Sequence, residues 1–178
     1  GLGAILLCLS IVFAPNLNTR VSDTLKIFST DFVTVDAATS HRLTLWQTGV
    51  SIAKSNWLNG VGPRGYRTVY RDYSAADDFW IARGSTGQTH PHLMLLEVLI
   101  ETGILGIIGY LACLILSLKR LWQQRALNPA ASMSLMVAMV AWFPLNAHLA
   151  FYGSYWSNIA WLMIALGCIS YQATARQA

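Results

Sequence analysis

The sequence predicts an all-α fold: a polytopic integral membrane helix bundle carrying a long periplasmic loop with short amphipathic helices. Three observations carry this prediction. Of 178 residues, 54% are hydrophobic and only 11% are charged, whereas a soluble domain carries about 25% charged residues. The mean hydropathy is +0.45. The charges are also segregated, with 14 of the 20 lying between residues 15 and 92 and the rest of the chain dominated by four apolar runs. This balance excludes a disordered chain and an ordinary soluble globule.

The first run, Gly1 to Ala14, holds no charge but is shorter than the about 20 residues a spanning helix needs. The chain has no starting Met and no basic segment ahead of the run, so a signal peptide fits poorly. Residues 1–14 read as a truncated transmembrane helix, and the chain as the C-terminal part of a larger polytopic protein. The second run, Leu93 to Leu118, is interrupted by Glu97 and Glu101. As one helix of about 39 Å it exceeds a hydrocarbon core of about 30 Å. Both glutamates can then sit at the interface while Gly103 to Leu118 spans. The third run, Ala130 to Ala147, carries Pro144 as a kink. The fourth, Trp156 to Tyr171, is flanked by Tyr152, Tyr155 and Tyr171 as an interfacial aromatic belt. Residues 93–178 thus read as three transmembrane helices. Cys8, Cys113 and Cys168 lie inside apolar runs and read as buried, inert small residues.

Orientation follows from the short connections. The segment 119–128 carries Lys119, Arg120 and Arg125 without an acid, and the tail carries Arg176. The positive-inside rule places both in the cytoplasm and the loop 15–92 on the opposite, periplasmic side.

That loop is where the chemistry is expected. Its bases are Arg20, Lys26, Arg42, Lys54, Arg64, Arg67, Arg71 and Arg83. Leu43, Trp46, Val50, Ala53 and Trp57 follow helical spacing as one amphipathic stripe, with Ser40 as N-cap and Asn59-Gly60 as stop. Arg42 on the first turn opposes the helix dipole and so hints at an anionic partner. Gly60 to Gly65 formally matches GxGxxG. It follows a helix rather than a strand, which makes it a glycine-rich turn rather than a dinucleotide site. Asp77-Asp78, even taken with His90 and His92, reads as a solvated acidic turn, and no metal or cofactor is expected. His90-Pro91-His92 closes the loop at the membrane boundary, where a histidine can accept a hydroxyl proton near neutral pH. His148, in an apolar stretch, reads as a hydrogen-bonded core residue.

These residues together resemble the O-antigen ligase and polymerase superfamily. The pattern is His92-Leu93, nine residues, then Gly103-Ile104-Leu105-Gly106. Upstream stand Arg42-x-x-x-Trp46 and Trp57-x-x-Gly60-x-Gly62-Pro63-x-x-Tyr66. The resemblance covers about residues 20–118, as read from those motifs. It implies metal-independent, inverting transfer of a glycan from an undecaprenyl-pyrophosphate donor to a sugar hydroxyl at the bacterial inner membrane. For a ligase the acceptor is the lipid A–core. By motif His92 matches the family's essential histidine, Arg42 an essential arginine and Arg20 a second one. Arg20, Arg42 and Arg64 are then the expected pyrophosphate ligands, with planar forks that substitute for a cation. Glu101 is either a residue that orients His92 or a carboxylate engaged in helix packing. Leu93 stands where ligases of the family carry Asn, Ser or Gln. Repeat-unit polymerase and protein O-oligosaccharyltransferase therefore remain alternatives. From another class, a transporter with an anion-binding outer loop also remains, although the third and fourth runs lack the midplane ionisable groups it needs. The expected partners are the lipid-linked glycan, a lipid A–core or other glycan acceptor and the bilayer, with no nucleic acid.

Overall fold

The computed structural model describes Gly3 and residues 15–124, 129–147 and 153–175. The expectations for Gly1 to Ala14, Arg125, His148, Tyr152 and Arg176 lie outside the described residues, Gly3 apart. Among the described residues every regular element is a helix, as the sequence predicts. The chain divides into two compact units, Gly1–Leu45 and Trp46–Ala178.

The first unit contains α1 (Pro15–Leu25), a 3-10 turn (Lys26–Phe28) and α2 (Phe32–Ala38). Proline at the first helical position suits α1, since its missing N–H has no partner there. Asp31 caps α2 by accepting from the Thr34 amide at 2.9 Å. Helix α3 (Arg42–Ser55) begins here and runs on into the second unit. Ser40, expected as its N-cap, does not serve. Ser40 and His41 both turn through positive φ, at 57° and 59°. The buried Asp36 caps the helix instead. Its Oδ1 accepts from the Thr44 amide at 2.9 Å, and its Oδ2 takes the Thr44 hydroxyl at 2.7 Å and His41 Nδ1 at 3.0 Å. Burial pushes the Asp36 carboxyl up, but the bonds from Thr44 and His41 outweigh it and hold the group below its ordinary range.

The buried face of α3 is also rotated from the expected stripe. Of that stripe Ala53 is buried as expected, but Thr48 and Ile52 are buried beside it, while Val50 is exposed and so is Trp57, which lies beyond the end of the helix. The reason is local packing. A side chain at Gly49 would fall 2.9 Å from Ile100 Cδ1 and 3.1 Å from Leu96 Cδ2, so the small Thr48-Gly49 edge is what fits against the next long helix.

That long helix is α6 (Met94–Gln124). It follows α4 (Tyr66–Tyr73) and α5 (Phe79–Ala82) and precedes α7 (Pro129–Ala141) and α8 (Ser154–Ala175). The second apolar run is not one continuous helix. Gly103, at φ 64° and ψ −163°, breaks it. The third run is not kinked at Pro144 either: its helix stops at Ala141, because proline disfavours helical geometry in the residue before it. Met94, Val98, Tyr110, Leu114, Ala141, Trp142 and Ala160 form the core between α6, α7 and α8. The Tyr110 hydroxyl donates to the Trp142 carbonyl, and Trp142 meets Trp161 edge-on at 5.0 Å.

Counted across the break at Gly103, Met94–Arg120 is the described helical stretch long and apolar enough to cross a membrane, and shorter apolar helices cover Ser132–Ala141 and Ser157–Leu166. Large apolar residues face outward on all three, among them Leu105, Ile108, Ile115, Met133, Val140 and Leu162. Such continuous apolar exposure suits hydrocarbon rather than water. Cys113 shares that outward face and is exposed rather than buried.

Candidate functional site

His92 sits where three pieces of the second unit meet. From α3, the Trp46 indole Nε1 donates to the Pro91 carbonyl at 2.9 Å. From the turn that follows α7, Asn146 and Pro144 lend their carbonyls to the Met94 and Leu95 amides, each at 2.9 Å. These are among the first amides of α6, which have no partner inside the helix. The same segment reaches the catalytic candidate: His92 Nδ1 lies 3.3 Å from the Ala147 carbonyl oxygen. A carbonyl only accepts, so Nδ1 is the donor in this contact, and in a neutral ring Nε2 would then be the nitrogen able to accept a proton. The backbone at His92 has φ 52°, an uncommon value for a residue with a β-carbon. The His90 ring lies 3.9 Å from that of His92, and its Nδ1 is paired with the Thr89 hydroxyl at 2.9 Å.

Arg64 and Glu101 form a second focus. The glycine turn bends back as expected and crosses the break in α6. Val61 and Gly62 donate to the carbonyls of Ile100 and Glu101 at 2.9 Å, and Ile104 donates to the Trp57 carbonyl at 2.8 Å. The backbone groups that the break would orphan are thus satisfied by the turn. The crossing is close enough to demand glycine on both sides. A β-carbon at Gly60 would lie 2.4 Å from the Glu101 carbonyl carbon, and one at Gly103 would lie 2.2 Å from the Leu58 oxygen. The Glu101 side chain is buried and accepts from the amides of Arg64 and Tyr66. Both of these bonds run to the chain that leaves the glycine turn. Glu97 stands one helical turn closer to His92 along α6 and is equally buried.

Beyond the turn, Tyr66 and Tyr70 are fully buried and meet edge-on at 5.4 Å. Burial, with Tyr70 and Asp78 nearby, pushes the Tyr66 phenol up and keeps it neutral. The pair Asp77-Asp78 is not a solvated turn. Asp77 is exposed, but Asp78 is buried. Its Oδ1 caps α5 through the amides of Trp80 and Ile81, and its Oδ2 accepts the Tyr70 hydroxyl at 2.7 Å. Among the described residues no group of three His, Cys, Asp or Glu gathers in a metal-binding arrangement.

Arg20 and Arg42 belong to the first unit. Arg20 lines a cavity of about 400 Å³ with Asp23, Thr24, Lys26, Ala37, Ala38 and Ser40. Asp23 is engaged there by Lys26 at 2.6 Å. Arg42 is exposed on the first turn of α3, next to the helix end that Asp36 caps. The negative charge favoured at that end is therefore supplied in part from within the chain.

Sequence reasoning missed two residues. Asp36 gave no pattern to read, since its cap acts across a turn of eight residues. Trp46 appeared in the Arg42-x-x-x-Trp46 motif but was read as part of an apolar stripe. Its N–H, which seeks a partner when half-buried, was the available signal.

No curated protein and no solved structure matches the chain. The O-antigen ligase family matches residues 1–111, a stretch that contains the arginine motif, the glycine turn, the His92 junction and the broken start of α6. By that match over more than half of its length, this chain belongs to the O-antigen ligase family.

Proposed function

We propose that this protein transfers a glycan from an undecaprenyl-pyrophosphate donor to the hydroxyl of an acceptor sugar. In the ligase reading the acceptor is the lipid A–core. The observation that carries the proposal is the His92 junction, in a chain that belongs to this family. With Nδ1 held by the Ala147 carbonyl, Nε2 is the nitrogen that takes the acceptor proton. The acceptor oxygen then bonds to the anomeric carbon from the face opposite the leaving group, inverting it. The bond from that carbon to the phosphate oxygen breaks, and its electron pair leaves with the pyrophosphate. Arg42, Arg20 and Arg64 are the candidates that hold the pyrophosphate and offset its charge without a metal ion. Glu101 supports the site from within α6. In this reading the protein spans the bacterial inner membrane several times, with residues 15–92 in the periplasm and residues 119–128 in the cytoplasm. The apolar faces of α6, α7 and α8 support membrane embedding.

Leu93, in place of the Asn, Ser or Gln of ligases, favours repeat-unit polymerisation as the second reading. The experiment is complementation of a strain that lacks its ligase. A restored lipopolysaccharide ladder supports ligation. Long lipid-linked chains with no capped core support polymerisation. Neither product, from a protein inserted at normal levels, rejects both.

A further inference from the structure

A buried carboxylate must be satisfied by a charge or by several hydrogen bonds. Glu101 is 2% exposed, and its bonds go to one place. Oε2 accepts a short bond from the Arg64 amide, Oε1 accepts from the Tyr66 amide at 3.4 Å, and its main-chain carbonyl accepts from Gly62 at 2.9 Å. Between these anchors Arg64 adopts φ 59°. A residue with a side chain holds such a conformation where its surroundings impose it. The chain then enters α4, which buries Tyr66 and Tyr70 and leaves Arg67 and Arg71 exposed. Arg64 stands in the turn just ahead of α4, while Arg67 and Arg71, four residues apart, share one side of the helix, and all three are exposed. Among the described residues no carboxylate forms an ion pair with any of them. Glu101 offsets part of the charge on Arg64 and Arg67, and three exposed arginines remain complementary to a multiply charged anion.

We propose that Glu101 is a positioning residue that acts through Arg64. Its carboxylate folds the turn so that Arg64 joins Arg67 and Arg71 as a row that binds a pyrophosphate group. Naming the donor's pyrophosphate as the ligand rests on the proposed glycosyl transfer. The row itself rests on the geometry above.

The test uses the purified full-length protein in detergent, with inorganic pyrophosphate as the probe. Arg64→Ala alters only an exposed side chain and should weaken pyrophosphate binding. Glu101→Gln keeps the volume but only one acceptor, and should weaken binding about threefold to tenfold. In the Arg64→Ala background Glu101→Gln should add less than about twofold, since the two act as a unit. Hydrogen exchange at the Arg64 and Tyr66 amides should speed up in Glu101→Gln. With lipid-linked donor, KM should rise and kcat stay within about twofold. Equal weakening in both backgrounds, unaltered binding in Arg64→Ala, or a loss of kcat at unchanged KM would overturn the proposal. If the wild type binds pyrophosphate through Arg64 yet transfers nothing, the functional reading fails and the positioning role stands. If transfer proceeds and Glu101→Gln is silent in every readout, the positioning role fails and the functional reading stands.

Discussion

The Trp46 indole donates a 2.9 Å hydrogen bond to the carbonyl of Pro91. This bond ties helix α3 to the residue immediately before His92. With the packing of Gly49 against Leu96 and Ile100, it joins α3 to the start of α6, 45 residues away in sequence. Trp46→Phe keeps most of the ring and removes the donor, at a cost of about 1 kcal/mol. Transfer should fall while membrane insertion is unchanged. Near-normal product from Trp46→Phe would mean that Pro91 is held well enough by its other neighbours.

His92→Ala should abolish transfer and leave the protein inserted. His90→Ala should be milder, because His90 contributes a neighbouring ring rather than the Nδ1 contact to Ala147 that sets the tautomer. A complementation gel reads both variants. Product at wild-type level from His92→Ala would remove this histidine from the chemistry.

The glycine crossing should be intolerant of a single methyl group. Gly103 has φ 64° and ψ −163°, a region almost closed to other residues and costing of order 1–3 kcal/mol. Its added β-carbon would also meet the Leu58 carbonyl at 2.2 Å. Gly103→Ala and Gly60→Ala should each lower the melting temperature measured in detergent. An unchanged melting temperature for both would show that the turn and the broken helix separate without loss.

Asp36 carries a pH dependence of defined sign. Its carboxyl is held below the ordinary value of 3.8 when folded, so the ionised form is the one the fold favours. The stabilisation is complete above that ordinary value and is lost as pH falls through the lower folded value. Hydrogen exchange at the Thr44 amide should therefore accelerate only below about pH 4. Asp36→Asn should make that amide exchange faster at neutral pH and remove the acid-induced change. An amide indifferent to both treatments would mean that another group caps α3.

Transfer by the purified protein should survive EDTA, because the arginines expected at the pyrophosphate disfavour a bound cation. Asp77→Asn should keep activity, its side chain being exposed. Asp78→Asn should instead destabilise α5 by about 1 kcal/mol through loss of its cap. Activity lost on chelation and restored by Mg²⁺ would reverse the mechanism.

The helical class, the apolar start of α6 at Met94, the glycine turn and the motif residues were all legible in the chain, because composition, periodicity and spacing are local properties. The break at Gly103 was not, although the glycine was visible. A glycine inside an apolar run is compatible with a straight helix, and only the approach of Leu58 and the amide of Ile104 makes the break favourable. The buried face of α3 escaped for a related reason. Hydrophobicity favoured the side with Trp46 and Trp57, but steric fit chose the small edge at Thr48 and Gly49. Glu101 is the sharpest case. The sequence placed a carboxylate on α6 and left its role open between the histidine and packing. Tertiary structure decided for the amides of Arg64 and Tyr66, because a buried anion goes to the donors that its surroundings bring within reach, and those donors lie about 35 residues away in sequence.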